Sequence, residues 1–317
     1  MVSSSAQRTN LSFNEDHRQI LLKGADVWNA WRHQNPRIRP NLTGADLSGA
    51  NLTNANLSRT RLSRANLNQA ILCNADLSGS YLLEAQAVSA DLRNTNCSEA
   101  MLSEANLHQA NLQGAMLRQS DLSYAKLVEA NLQGADLSEA FVTGADLTGA
   151  NLEEAMMRET LMSDVNLSHA RLTSTFLRRV DLRNANLKQA NLRGAEVSDA
   201  DLRGANLHQT NLCKTSLSRT YLNHAMLWGA NISQSNCLGT NFYSADLRQA
   251  NLQGTDLRQA NLSQCNLIGA FLEGATLNST ILPDRSRSPR LVLDRSVADR
   301  ISMLEAPRDL MTSLAAS

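Results

Sequence analysis

The chain has 317 residues with 30 basic and 30 acidic side chains, so its formal net charge is zero. That neutrality argues against bulk electrostatic attraction to nucleic acid or anionic lipid. Aromatic residues make up only 4% of the chain, and a core with so few rings must fill its volume another way. No apolar run approaches the roughly 18–20 residues that span a bilayer. The opening MVSSSAQRTNLSFNEDHR lacks an apolar signal-peptide centre. A cytoplasmic protein without a membrane span is the expectation.

The first element in chain order is a helix. Residues 1–11 ahead of it are expected to be disordered. Ser12 followed by Glu15 reads as a capping box. Ile20, Leu21, Gly24, Val27, Trp28 and Trp31 then share one helical face. Pro36 ends the helix and Pro40 leads onward, so residues 12–40 are a capping helix and linker. The face formed by Ile20, Val27, Trp28 and Trp31 is read as a lid on the structure built by the residues after Pro40. A partner or membrane contact through Trp28 and Trp31 is the alternative.

From Leu42 to Leu282 the sequence repeats every five residues without a slip, giving 49 repeat centres, of which 40 are Leu. The exceptions are Ala87, Cys97, Val142, Met157, Met162, Val197, Ile232, Cys237 and Phe242. Two residues before each centre stands Ala, Ser, Thr or Cys, except at Val165 and Val180; the residue just before the centre is mostly Asn or Asp. On an α-helix each five-residue step turns about 500°, so the Leu residues would spiral around every side. On a flat strand an odd period sends successive Leu to opposite faces. A chain that bends once per repeat points every Leu and every small residue inward. Stacked turns of such a chain form an all-β solenoid.

These residues resemble the pentapeptide-repeat proteins, whose repeat is A(D/N)LXX, across residues 41–282. The Trp-bearing leader before the repeats is most similar to those of cyanobacterial members. The resemblance implies a right-handed quadrilateral β-helix with one repeat per side and 20 residues per turn. About 12 turns at a strand spacing of roughly 4.8 Å would make a rod about 60 Å long. Phe242, Val165 and Val180 are expected to strain such a coil locally, and Ala87 to leave a void.

The repeat stops at a polar linker, residues 283–290. Residues 291–305 carry Leu293, Val297, Ile301 and Leu304 at helical spacing. They are read as a short helix, either packed on the last turn or used for dimer contact. Residues 306–317 are expected to be a mobile tail.

Catalytic chemistry is hard to find. Cys97, Cys237 and Cys265 fall at inward positions, whereas Cys73 and Cys213 share an outward column seven turns apart, too far for a disulfide. His108 and His208 lie five turns apart with no third ligand, so no metal site is expected. Ser123-Tyr124-Ala125-Lys126 matches the SxxK nucleophile motif but straddles a corner on a convex rod. No glycine-rich phosphate loop appears, and neither an enzyme nor a cofactor is expected. The coil holds 18 basic and 22 acidic residues, a net charge of −4. Arg158, Arg178, Arg179, Glu139 and Glu159 share one predicted side, where opposite charges on adjacent turns can pair.

One outward column departs from the pattern. Tyr81, Met101, Phe141, Leu161 and Tyr221 replace the Asn or Asp before a centre at multiples of 20 residues. Leu83, Tyr124 and Tyr243 join the same side, and Asp121, Asp181 and Asp201 interrupt it. An exposed apolar strip on a soluble rod marks a contact surface, unless its bulky residues are tucked against their neighbours. The expected function is a non-catalytic interaction or scaffold rod for a protein partner or a second copy of itself. The alternative comes from the resemblance: some members mimic duplex DNA and bind type II topoisomerases. The near-neutral coil and its unbroken register, which leaves no projecting loop, disfavour that reading.

Overall fold

The computed structural model describes residues 13–285. From Asn41 to Ile281 the chain is one coil in which each residue before a centre forms a parallel bridge with the residue 20 positions on. Twenty residues per turn and five per repeat give four sides. We number them from the side that begins at Asn41, so that Tyr81 opens a first side and Asp76 a fourth.

Each corner is a tight turn. The N–H of the small residue donates to the carbonyl of the preceding centre, as in Ala65 N to Leu62 O at 2.9 Å. The second of the two residues between them has positive φ at every corner from Gly44 to Ser279, near +59° at Asn54 and +71° at Gly44. Those are the features of a type II turn. Between corners, adjacent turns are joined three times per repeat. Leu62 N donates to Tyr81 O at 2.7 Å, Arg64 N to Leu83 O at 2.8 Å, and Tyr81 N to Thr60 O at 3.0 Å.

The interior is a column of centres and small residues, nearly all within 1% of complete burial. Where the small residue is Thr or Ser, its hydroxyl finds a carbonyl. Thr95 Oγ1 donates to Leu72 O at 2.9 Å, and Thr240 Oγ1 to Leu217 O at 2.6 Å. A polar group can therefore enter the core without the penalty of an unmade hydrogen bond. The cysteines sort as their phase requires. Cys97, Cys237 and Cys265 are buried, and Cys73 and Cys213 reach the surface. Burial pushes the thiol of Cys97 up to about 12, with nearby Asp76 adding to the shift.

The corner hydrogen bonds at Val165 and Val180 are 3.4 and 3.3 Å, lengths shared by the corners at Thr160, Thr175, Ala200 and Ser235, so the valines loosen the coil no more than those residues do. Phe242 does not strain it. It is fully buried and its corner bond is 2.8 Å. The preceding centre in the same turn is Cys237, and the smaller side chain makes room for the ring. Around Ala87 nothing compensates. Leu92 and Leu102 are 4% and 5% exposed, more than most centres.

Outside the core, the Asn or Asp before each centre has a local task. Its side-chain oxygen accepts the N–H two residues on, as Asn131 Oδ1 does from Gln133 N at 3.2 Å. Successive Asn residues also link turn to turn, for example Asn151 Nδ2 to Asn131 Oδ1 at 3.0 Å. Where the sequence reads Asp-Leu-Arg, the same carboxylate receives the guanidinium as well. Arg93, Arg183, Arg203, Arg248 and Arg258 each clasp the Asp two residues before them. The Arg93 guanidinium, together with the hydrogen bond from Cys73 and the amide of Arg93, holds the Asp91 carboxyl down to about 2 against the opposing effect of partial burial. Asp181, Asp246 and Asp256 are lowered in the same way, each chiefly by its own Arg.

Two helices close the first turn, α1 (Glu15–Leu22) and α2 (Ala25–Gln34). This corrects the expectation of one helix, because the chain breaks at Gly24, whose φ is +109°. Ser12 lies outside the described residues. Asn14 caps α1 by accepting from His17 N at 3.2 Å, and Glu15 is the first helical residue instead of the third. The break resets the helical phase, so Val27 turns outward at 46% exposure and is no part of the lid. Trp28 is fully buried, and Ile20 and Trp31 pack partly buried against the core.

The first turn has carbonyls with no turn beneath them, and the lid supplies donors. Asn14 N reaches Asn41 O, Arg18 Nε reaches Asp46 O, Trp28 Nε1 reaches Asn56 O and Arg32 Nη2 reaches Ser58 O, all at 2.7–3.0 Å. The expected disordered segment 1–11, most of the 283–290 linker, the 291–305 helix and the 306–317 tail lie outside the described residues.

The slack around Ala87 and the clasped carboxylates can each be tested. Ala87→Leu fills the slack turn and raises the unfolding free energy by about 1–2 kcal/mol, read from urea denaturation; a decrease would show that the turn has already closed around the alanine. The second test concerns acid. Carboxyls lowered by folding add stability that is fully present above their unfolded value near 3.9 and lost as pH falls from there toward 2. Replacing Asp91, Asp181, Asp246 and Asp256 by Asn keeps an acceptor for the amide but removes the ion pair. The acid limb of stability against pH therefore becomes shallower in that variant, and an unchanged limb would show that these pairs contribute nothing.

Candidate interaction surface

The ladder that opens the first side runs Asn41, Arg61, Tyr81, Met101, Asp121, Phe141, Leu161, Asp181, Asp201, Tyr221, Asn241, Asn261 and Ile281. Tyr81, Met101, Phe141, Leu161 and Tyr221 thus do fall on one ladder. Met101, Phe141, Leu161 and Tyr221 are 42–52% exposed, whereas Tyr81 is half-buried. Leu83 and Tyr124 are exposed on the same side, and Tyr243 is half-buried there with its ring edge-on to His224 at 5.7 Å. All 4 tyrosines of the chain lie on this side. Tyrosine couples a broad apolar face to a polar tip and is enriched at protein interfaces.

The replacements have a structural cost on their own ladder. There Asn41, Asp121, Asp181, Asp201, Asn241 and Asn261 each accept the amide two residues on. Tyr81, Met101, Phe141, Leu161 and Tyr221 have no side-chain acceptor to offer the amides of Leu83, Ser103, Thr143, Ser163 and Asn223. A hydrogen bond of this kind contributes about 0.5–1.5 kcal/mol where water does not take it over.

Tyr124 adds a second irregularity. It occupies a corner position at φ +59° with its ring lying over Gly144 on the next turn. A Cβ at Gly144 would come within 2.5 Å of that ring, so this glycine keeps the ring flat on the surface.

The strip is divided by a polar notch. Between Leu161 and Tyr221 lies a shallow depression of about 490 Å³, walled by Arg183, Arg203, Asn223 and His224. Arg183 and Arg203 are held by Asp181 and Asp201. The buried Oδ1 of Asn223 has no hydrogen-bond partner. The surface is therefore apolar along most of its length, with one site for a polar group.

Sequence reasoning missed a related feature on the fourth side. Met116, Met156 and Phe176 are 43–53% exposed on the ladder that opens it. They stand beside the expected charged residues. Arg158 and Arg179 share Glu159, Arg178 and Arg219 share Asp199, and Arg118 contacts Asp136 and Glu139. Spacing at multiples of 20 would have exposed these three apolar residues as well, but the charges around them dominate the sequence of that side.

Ser123 and Lys126 of the SxxK match sit on adjacent sides with buried Ala125 between them. Among the described residues no group of His, Cys, Asp and Glu could hold a metal ion, and no helix is long and apolar enough to cross a membrane.

Eight copies of the family model named Pentapeptide repeats match this chain, within residues 41–79, 88–123, 125–164, 160–199, 200–236 and 240–278. Among solved structures it is similar to HetL, a pentapeptide repeat protein involved in heterocyst differentiation regulation from the cyanobacterium Nostoc sp. strain PCC 7120. The identity is 32% over 82% of this chain and 98% of that one, with a TM-score of 0.38. Rfr23, a pentapeptide repeat protein of the cyanobacterium Cyanothece 51142, is 39% identical over 28% of this chain and 58% of its own, with a TM-score of 0.19. QnrB1, a plasmid-mediated fluoroquinolone resistance protein, is 23% identical over 51% of this chain and 84% of its own, with a TM-score of 0.23. No curated protein matches the sequence. With well over half of the chain matched by the repeat model, the protein belongs to the pentapeptide-repeat family.

Proposed function

We propose that the protein is a non-catalytic binding rod that engages another protein, or a second copy of itself, through its first side. The observation that carries this reading is the ladder on which Tyr81, Met101, Phe141, Leu161 and Tyr221 stand in place of the Asn or Asp that would cap the next amide. Exposed apolar side chains gained at the expense of local hydrogen bonding fit a surface selected for contact, with Tyr, Phe and Met as anchors. HetL is involved in heterocyst differentiation regulation, a kind of role that a rod without catalytic groups can serve. The cytoplasm is the proposed setting.

A topoisomerase-binding DNA mimic is the weaker reading. Its acidic field would have to come from carboxylates such as Asp91, Asp181, Asp201, Asp246 and Asp256, each of which is already clasped by an arginine. Inhibition or protection of gyrase supercoiling at micromolar protein would restore it.

The test of the main reading is the triple variant Tyr81→Asn, Phe141→Asn, Tyr221→Asn. Asn restores the missing amide acceptor, so the coil stays folded with an unchanged or higher melting temperature. Self-association in light scattering, or capture of a partner by the immobilised rod, falls at least about tenfold. If both persist at wild-type strength in the folded variant, the first side is not the contact surface.

A further inference from the structure

The charges of the fourth side are arranged about a centre. Its corner column runs Glu99, Gln119, Glu139, Glu159, Arg179, Asp199 and Arg219, one residue per turn, and all but Asp199 are exposed. Carboxylates stand on the earlier turns and guanidinium groups on the later ones, with Glu159 in the middle. Beside Glu159 on the same turn are Arg158 and Met156, the latter 43% exposed. These charges are not balanced within the chain. Arg158 and Arg179 share Glu159, and Arg178 and Arg219 share Asp199. Glu99 joins no ion pair among the described residues.

We infer that the fourth side is a self-complementary surface on which a second copy of this chain docks antiparallel, across a two-fold axis at the level of Met156 and Glu159. Such an axis sets each turn before it against the turn equally far after it, and every contact is made twice. Glu139 then meets Arg179, Gln119 meets Asp199 and Glu99 meets Arg219. Glu159 meets its own mate, but Arg158 and Arg179 of its own chain already hold it. Met156 packs on Met156. Phe176, 53% exposed, comes over Asp136, against which Arg118 lays its guanidinium at 3.4 Å; a guanidinium over a ring is an attractive pair.

Other registers lack this match. An axis one turn earlier sets Glu139 against Glu139, and one turn later sets Arg179 against Arg179 and Glu159 against Asp199. Shifts of half a turn bring Glu139 onto Glu159 or onto Asp199. Parallel copies would set each turn against itself, so that Arg178 and Arg179 meet the same pair. Opposed charges across an interface fix register in this way, and like charges exclude the alternatives. The docking does not involve the first side, which stays free for another protein.

The experiment is light scattering on the full chain from about 1 to 100 µM, with Glu139→Arg, with Arg179→Glu, and with the two combined. These residues are exposed, so each variant keeps the wild-type circular dichroism. The wild type dimerises, less tightly as salt rises. Either single substitution weakens the dimer at least about tenfold, since each acts twice, and the combined swap restores it. The variant Tyr81→Asn, Phe141→Asn, Tyr221→Asn dimerises like the wild type, which separates this surface from the first side. Register is read by oxidation with copper phenanthroline in a Cys73→Ser, Cys213→Ser background. Met156→Cys faces its own mate and forms a disulfide-linked dimer. Met116→Cys lies four turns, about 19 Å, from its mate and does not. A monomer throughout the concentration range, a dimer indifferent to Glu139→Arg, a swap that fails to restore it, or equal crosslinking of the two cysteine variants would overturn the inference.

Discussion

The molecule depends on a hydrogen bond that spans three residues, from the N–H of each small residue to the carbonyl of the preceding centre. Closing it requires the residue just before the small one to adopt positive φ. In 14 of the 48 corners from Gly44 to Ser279 that residue is Gly; in the other 34 it is a residue such as Gln, Glu, Arg or Asn. A left-handed conformation costs an L-residue about 1–2 kcal/mol. Three hydrogen bonds between turns and the burial of one large side chain per repeat offset that cost. The corner sets the period at five, the period fixes which residues face inward, and the width of the coil restricts each side to one centre and one small residue. The scarcity of aromatics follows, since a ring fits inside only where a neighbouring centre shrinks, as Cys237 does beside Phe242.

A coil built this way divides its residues by phase. Its inward positions are committed to packing, and its outward positions lie on four convex sides. The outward side chains set the pattern of each side. Most of that pattern is self-satisfying. Asn and Asp cap their own corners, Asn residues run from turn to turn, and Asp-Leu-Arg triplets neutralise themselves on the spot. The long-range field of the rod is consequently weak even though charged side chains are frequent, which favours recognition by shape and apolar contact over electrostatic steering.

Much of this was legible in the residues because the register never slips. An unbroken period fixes the column of every side chain, so the strip from Tyr81 to Tyr221 could be assembled by counting and stands on one ladder in the structure. Counting reveals where a side chain lies, but not what it bonds. The amide-capping task of Asn131 or Asp181 is invisible to periodicity, and so was the reason why Tyr81 or Phe141 is anomalous there. The lid was less legible. A helical face extrapolated through Gly24 assumed a constant phase, and the φ of +109° at that residue rotated Val27 into solvent while leaving Trp28 inside.

The directionality of the backbone supplies the last step. In each repeat two N–H groups donate to the turn above and one donates to the turn below, so every turn offers its neighbours both donors and acceptors. At the start of the coil the lid meets both, with Trp28, Arg18 and Arg32 as donors and His17 and Asn29 as acceptors, and so covers an edge open to edge-to-edge pairing. On the first side local hydrogen bonding has been given up for exposed rings, which is why the proposed contact surface lies there.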